Sequence, residues 1–295
     1  MTSPLPMHVA VTFAHASLQV LAEDAGVDLL HVKGPAIDPL LTGGRLEETS
    51  GRGPSSDADV LVRPSHVKAM LCAMRAHGWG LQYRFADGSA FEHAATLWHE
   101  GVGHADIHRS FPGIRVDADA AFEILWRERG TRELAGVECA VPNLTGQRLI
   151  LLLHAARDVA QRRWDVTRCW DEATPDERRQ VEQLARRLGA EVALAAATGR
   201  LEDYADRREH DLWQLLSSGH RADLQVWKAR VKAQPTLLGR VRTGARLLTP
   251  KLGRSRTELG RALTPAEVLS AYSQRLRLGA REVARVLRSG WESRR

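Results

Sequence analysis

The chain has 295 residues, of which 43% are hydrophobic and 26% charged, a composition typical of a globular protein with room for two modest domains. Its three cysteines, Cys72, Cys139 and Cys169, have no CxxC or zinc-finger spacing, which argues against a small zinc or disulfide scaffold and favours free thiols in a reducing cytosol. The first residues lack the pattern of a signal peptide, and no apolar run approaches the ~20 residues that span a bilayer, so we expect a cytoplasmic protein with no membrane span.

The net charge of +6 is divided unevenly along the chain. Residues 221–295 contain 18 Lys and Arg against 5 Asp and Glu, a local balance of +13, whereas the first 220 residues have a balance of −7. Clustered positive charge is typical of surfaces that contact phosphates, and RNA is one partner that it would suit. Arginine-rich amphipathic helices with solvated outer faces have the same composition, so both interpretations stay open.

Short helices and strands alternate through the first part of the chain. Helical spacing of apolar residues predicts an opening helix over 8–25, and a short buried strand follows over 28–32. A helix is predicted from Pro35 to Leu41, and the Gly- and Ser-rich residues 42–56 are predicted to form a loop. The run ADVLV, residues 58–62, predicts another strand, and Pro64 opens a helix to about His77 that Gly78 ends.

The pattern then changes twice. The next predicted elements are short strands within 79–108 with a hairpin turn at 101–103, a helix over 117–128, and a strand pair over 133–143. From residue 145 onward the spacing of apolar residues is helical throughout. We therefore predict an α+β fold with a mixed-sheet catalytic domain over residues 1–145 and an all-helical, basic domain over 146–295.

The segment SSDADVLV, residues 55–62, places two acids at the start of an apolar strand. Because side chains at positions i and i+2 of a strand point to the same face, Asp57 and Asp59 project side by side. Two ionised carboxylates repel each other unless a cation lies between them, and Mg²⁺ prefers such oxygen ligands. The alternative is a solvated turn, but the adjoining strand and the helix opened by Pro64 favour a metal site.

A third carboxylate is predicted on the segment GHADIHR. His104, Asp106 and His108 alternate with apolar residues there, so these three side chains share one face. If that face joins the face of Asp57 and Asp59, three carboxylates converge. Two Mg²⁺ ions could then bridge the attacking and leaving oxygens of a phosphoryl displacement.

Other clusters are weaker candidates. Asp117 and Asp119 also alternate, but they lie at a predicted helix start, where acids favour the helix dipole. A zinc site could be imagined from four histidines: His93, His99, His104 and His108. The spacing is not HExxH, and the intervening glycines oppose a helix. We expect His108 to orient Asp106 or a phosphate, or to be a half-buried strand histidine.

Lys33-Gly34 ends a predicted strand and precedes a helix. A phosphate at such a position meets exposed backbone N–H groups and the positive end of the helix, and a lysine adds a point charge. The alternative is a simple strand-to-helix turn, since the dipeptide alone carries little information.

In this order, LLHVKGPA, SSDADVLVRP and HADIHRS resemble the uncharacterised nucleotidyltransferase family of the polymerase-β-like superfamily, over about residues 27–110. The resemblance implies a mixed-sheet catalytic domain, Mg²⁺ held by Asp57, Asp59 and Asp106, and triphosphate contact by Lys33 and Gly34. The wider superfamily carries Gly-Ser shortly before its first acid, whereas Gly34 stands 23 residues before Asp57. A serine of the pair Ser55-Ser56 is the expected substitute in contacting the triphosphate.

We therefore predict a Mg²⁺-dependent enzyme that moves a nucleoside monophosphate from an NTP to a small-molecule or peptide acceptor and releases pyrophosphate. Two alternatives stay open. One is a toxin-like nucleotidyltransferase that acts on tRNA, which the basic segment 221–295 favours. The other is a non-catalytic relative that binds nucleotide or RNA, which the complete set of three acids disfavours. The sequence does not identify the acceptor or the base of the NTP.

Overall fold

The computed structural model describes residues 5–43, 55–87, 91–219, 224–247, 249–250, 252, 263–275 and 277. The strands are β1 (Leu29–His31), β2 (Asp57–Val62), β3 (Gly80–Tyr83), β4 (Ala94–His99), β5 (Gly103–His108), β6 (Gly130–Leu134) and β7 (Val137–Val141). The helices of the first half are α1 (Met7–Asp24), α2 (Pro39–Thr42), α3 (Val67–Ala76) and α4 (Ala118–Arg127). The later helices are α5 (Leu144–Ala155), α6 (Val159–Val166), α7 (Pro175–Leu188), α8 (Glu191–Ala197), α9 (His210–Ser217), α10 (Leu224–Ala233) and α11 (Leu237–Leu247).

Five strands form a mixed sheet in the order β1-β2-β5-β4-β3. The central strands β2 and β5 are parallel, and their register places Asp59 opposite Asp106. The other neighbouring pairs, β1 with β2, β5 with β4, and β4 with β3, are antiparallel. A separate hairpin joins β6 and β7. The predicted α+β fold with a mixed sheet is confirmed.

The two faces of the sheet bury different side chains. Ala58, Val60 and Val62 of β2 lie in an apolar core with residues of α1 and α3. Strand alternation turns the acidic side chains of β2 to the opposite face. That face meets the helical half, because Leu61 belongs to a second core that includes the buried residues 149–153 of α5. The acids therefore lie between the sheet and the later helices.

The second core crosses the predicted domain boundary near residue 145. It joins Leu30 of β1 and Phe122 of α4 to residues of α5, α7, α8 and α9. Within the described residues the seven strands precede α5, and the regular elements after residue 143 are helices. The division into domains 1–145 and 146–295 stays a prediction.

The segment after β1 differs from the single helix predicted from Pro35 to Leu41. A 3-10 turn over Gly34–Ala36 is followed by an extended residue, Asp38, before α2 begins at Pro39. A residue that precedes proline is disfavoured in helical conformation, which explains the interruption. The Asp38 side chain then caps α2 by accepting a hydrogen bond from the Leu40 N–H. Most of the predicted loop 42–56 lies outside the described residues.

Among the described residues, no helix has the length and apolar character needed to cross a membrane.

Candidate active site

The acids of β2 and β5 meet on the face of the sheet that is turned toward the helical half. Asp57 lies opposite His104 and Asp59 lies opposite Asp106 in the parallel register. Because both strands alternate in the same sense, their polar side chains share this face. The structure therefore brings together the three carboxylates that the sequence nominated.

Asp59 is the buried centre of the site, with 2% of its surface exposed. Its Oδ1 accepts hydrogen bonds from Lys33 Nζ at 2.8 Å and from His108 Nε2 at 2.6 Å. Burial raises the pKa of the Asp59 carboxyl, but the Lys33 ammonium and the His108 hydrogen bond outweigh it and hold that pKa well below its usual value. Asp59 is therefore a permanent negative charge.

Asp106 adds the second carboxylate and is less buried than Asp59. Its Oδ1 accepts a hydrogen bond from Thr96 Oγ1 of β4 at 2.6 Å, which fixes the side chain. Asp59, Asp106 and His108 each offer a ligand atom, and these atoms all lie within 4.8 Å of one another. Two carboxylates and an imidazole at this separation are a donor set that fits a divalent cation.

Asp57 stands beside this group without belonging to it. Burial, the Asp59 charge and the Asp106 charge raise the pKa of Asp57 to about 6, against the opposing effects of Lys33 and Ser55. Ionisation of Asp57 therefore costs free energy in the metal-free site, and a bound cation would lower that cost. The assignment of Asp57, Asp59 and Asp106 as metal ligands stays a prediction that this charge pattern supports.

Gly34 and Ser55 form a narrow cradle next to the acids. Gly34 has a left-handed φ of +63°, and a Cβ at this position would lie 3.2 Å from the Ser55 Cβ and 3.5 Å from His15 Nε2. Ser55 Oγ donates to the Asp57 carbonyl oxygen at 2.8 Å. The structure thus brings the predicted glycine and one of the two predicted serines together, whereas Ser56 is exposed. Their phosphate contacts stay predictions.

His108 has a different partner from the one expected. It is almost fully buried, and its Nε2 bonds Asp59 rather than Asp106. The parallel register explains this, because the Asp59 side chain lies between its direct partner Asp106 and the next same-face residue of β5, which is His108. As for the alternative acids, Asp117 caps α4 and Asp119 accepts bonds from Ser65, so both have structural roles.

Arg157, just after α5, is a site residue that the sequence reasoning missed. Its guanidinium carbon lies 5.7 Å from the Phe111 ring centroid, and that ring lies 5.9 Å from the His108 ring. Its Nε is buried and has no hydrogen-bond partner among the described residues. Burial lowers the pKa of Arg157, and the charges of Asp59, Asp158 and Asp106 raise it. The only sequence signal for Arg157 is its position directly after the apolar run LILLLHAA, residues 149–156.

Comparison with known proteins assigns the family. A family model described as "Uncharacterised nucleotidyltransferase" matches residues 9–206. A solved structure, the lincosamide antibiotic adenylyltransferase LnuA with lincomycin bound, is similar at 16% identity and a TM-score of 0.32, over 57% of this chain and 92% of that one. No curated protein matches the chain. The basic segment from residue 221 lies beyond the matched range, and RNA as a partner stays a prediction without support.

The matched range covers about two thirds of the chain and includes every acid of the site, the cradle and Arg157. The chain belongs to the uncharacterised nucleotidyltransferase family and is a nucleotidyltransferase.

Proposed function

We propose that this protein is a Mg²⁺-dependent nucleotidyltransferase that transfers a nucleoside monophosphate from an NTP to a hydroxyl, or a phosphate, of a small-molecule or peptide acceptor. Pyrophosphate is the second product. The observation that carries the proposal is the pairing of Asp59 with Asp106 on adjacent parallel strands, with Asp57 on the same face. Cytoplasmic location is part of the proposal, since the substrate NTP and Mg²⁺ are both intracellular.

The donor atoms fit Mg²⁺. Carboxylate oxygens are the ligands that this ion prefers, and it commonly keeps part of its shell for substrate phosphates and water. Asp59 and Asp106 would hold it, and Asp57 would complete a site for a second ion. When bound, the ions supply charge neutralisation for the phosphates and acidify the attacking hydroxyl.

The side chains around the carboxylates suit a triphosphate. Lys33 approaches from the end of β1 and Arg157 from the end of α5, so cationic groups flank the acids from both halves of the chain. Gly34 leaves room for a phosphate oxygen close to the backbone, and Ser55 can offer a hydroxyl there. The Lys33 ammonium has three N–H donors. It can therefore bind a phosphate oxygen while it keeps its ion pair with Asp59.

Asp106 is the acid best placed to take the proton of the attacking hydroxyl. Asp59 is enclosed by Lys33 and His108, whereas Asp106 is partly exposed and has one oxygen engaged by Thr96. Its other oxygen can then face the acceptor. Catalysis in such a site consists mainly of positioning and electrostatic stabilisation, because the phosphoryl group itself needs little covalent help.

Transfer of a nucleotide to tRNA is the second candidate. The balance of +13 over residues 221–295 favours it, since that charge would attract a polyanion. We place it second because the basic segment lies outside the range that matches the family.

The test is a labelling experiment with the full chain. Each α-³²P-labelled NTP is incubated with the protein, Mg²⁺ and a cell extract, and the fractions of small molecules, peptides and RNA are separated. We expect label in a small-molecule or peptide fraction, with none when Asp59→Asn replaces the wild type. Label in tRNA alone would select the second candidate, and no labelled product with any NTP or extract would contradict both.

A further inference from the structure

A chain of buried polar side chains runs behind the cradle and has no role in the transfer described above. His15 of α1 and His31 of β1 are both fully buried. Their Nδ1 atoms lie 2.7 Å apart, and His31 Nε2 lies 3.1 Å from Gln19 Oε1. Polar groups inside an apolar core usually have a hydrogen-bond partner, so an atom of this chain of side chains that has none is informative.

The hydrogen bonds of Gln19 fix the position of each proton. The Gln19 amide nitrogen donates to Glu23 Oε1 at 2.7 Å, and the Ala140 N–H donates to Gln19 Oε1 at 3.4 Å. Gln19 Oε1 is therefore an acceptor, so the His31 Nε2 carries a hydrogen. Burial lowers the pKa of His31 well below 6.5 and keeps the ring neutral, which leaves its Nδ1 as an acceptor. His15 Nδ1 must then be the donor.

It follows that His15 Nε2 carries a lone pair and no hydrogen. Burial lowers the pKa of His15 to about 4, so this ring is neutral in the structure described. The Nε2 atom is buried and has no hydrogen-bond partner among the described residues. It lies 3.5 Å from the point where a Gly34 Cβ would be, and the Ser55 Oγ lies 3.3 Å from that same point. The unpartnered acceptor thus faces the cradle.

We propose that His15 is a nucleotide-binding residue, oriented by His31 and Gln19, whose Nε2 takes up a proton from solvent as a phosphate of the NTP binds at Gly34 and Ser55. The inference rests on the proposed function. A neutral His15 would present a lone pair to an anionic oxygen, which is repulsive. The protonated ring would donate from Nε2 to the phosphate while Nδ1 keeps its bond to His31, so no side chain needs to move.

The surroundings of His15 suit this exchange. The Asp59 carboxylate on β2 raises the pKa of His15, whereas burial lowers it. Lys33 neutralises part of the Asp59 charge through their ion pair, and His31 on β1 is neutral. A bound phosphate would add negative charge beside Nε2 and act in the same direction as Asp59.

Calorimetry measures the proton directly. Binding of a non-hydrolysable α,β-methylene NTP with Mg²⁺ is followed at about pH 8, above the phosphate pKa of about 6, in two buffers that differ in protonation enthalpy. The difference in apparent binding enthalpy gives the protons exchanged. We expect the wild type to take up protons when the nucleotide binds, up to about one proton per nucleotide. His15→Asn keeps an N–H for His31 but leaves nothing at the Nε2 position, and His15→Gln places a neutral amide there.

Both His15 variants should lose the uptake and raise the KM for NTP about tenfold, with a smaller effect on kcat. His8→Asn, an exposed site on the same helix, should behave as the wild type. Circular dichroism and thermal unfolding identify a variant that fails to fold. In that case the proton uptake of the wild type still tests the inference. Nucleotide binding with no proton uptake, or uptake that persists in a folded His15 variant, overturns the inference and leaves the proposed function standing. Absence of any nucleotide binding would instead overturn the proposed function itself.

Discussion

Replacing two neighbouring aspartates should change the stability of the metal-free protein in opposite directions. Asp57 has a pKa raised to about 6, so its charged form is disfavoured in the folded state. A carboxyl whose folded pKa exceeds its unfolded value stabilises the fold below the unfolded pKa, and that contribution is lost as the pH rises through about 6. At pH 7.5 the wild type has lost it, whereas Asp57→Asn cannot ionise and keeps it. Asp59 has the opposite shift, because Lys33 and His108 stabilise its charge.

The structure sets the size of both effects. The rise of the Asp57 pKa from 3.8 to about 6 corresponds to about 3 kcal/mol. Asp57 is partly exposed, so solvent screening reduces the expected gain of Asp57→Asn to about 1–2 kcal/mol in the free energy of unfolding. Asp59→Asn leaves the Lys33 ammonium, which is 13% exposed, opposite a neutral amide. Breaking a buried ion pair from one side costs about 3 kcal/mol.

Urea unfolding followed by circular dichroism measures both values, in EDTA at pH 7.5 and again at about pH 4, where the Asp57→Asn gain should be nearly absent. Addition of Mg²⁺ in place of EDTA should stabilise the wild type and have little effect on either variant. Both variants should lack nucleotidyl transfer. The reasoning about the site fails if Asp57→Asn is less stable than the wild type at pH 7.5, or if Asp59→Asn is more stable.

Three further substitutions probe the cradle, the guanidinium and the third acid. Gly34→Ala should abolish NTP binding and destabilise the fold by about 1–2 kcal/mol, because the residue has a left-handed φ and its added Cβ would lie 3.2 Å from the Ser55 Cβ. Gly136→Ala is the control for backbone strain alone, since Gly136 has a φ of +80° and open space around the added methyl group. Arg157→Gln should raise the KM for NTP about tenfold, measured by steady-state kinetics, with exposed Arg127→Gln unchanged; equal KM values in both variants would remove Arg157 from the site. Thr96→Val should lower kcat about tenfold, because Asp106 loses the bond that orients it; an unchanged kcat would show that this bond is not needed.

The carboxylates could be predicted from the sequence because their arrangement depends on local periodicity. A two-residue repeat fixes which side chains of β2 and β5 share a face, whatever else the chain does. The sequence also limited the third acid to a neighbouring strand, but not to the parallel register that places Asp59 opposite Asp106. Register between strands 40 or more residues apart depends on the whole sheet, and the pattern of one strand does not contain it.

The cationic and histidine groups could not be predicted for a related reason. The charges of Asp59 and Asp106 act on Arg157 because α5 packs over one face of the sheet, and His15 lies beside the cradle because α1 packs on the other. On a helix, such residues look like any polar side chain at the edge of an apolar face. The sequence predicts Lys33 as a phosphate contact, but its bond to Asp59 depends on the pairing of β1 with β2. The sequence thus predicted the acids, and tertiary packing supplied most of their partners.

The charges of these groups favour the proposed pair of divalent ions over a single ion. Three carboxylates, with Lys33 and Arg157 as the flanking cations, have a net charge of about −1. An NTP with a charge of about −4 would make this strongly negative, whereas an NTP accompanied by two Mg²⁺ ions adds no net charge. The remaining unit of negative charge equals the proton that we propose His15 takes up. Nucleotide, two Mg²⁺ ions and one proton would together bring the net charge of the site close to zero, so we expect triphosphate without Mg²⁺ to bind weakly.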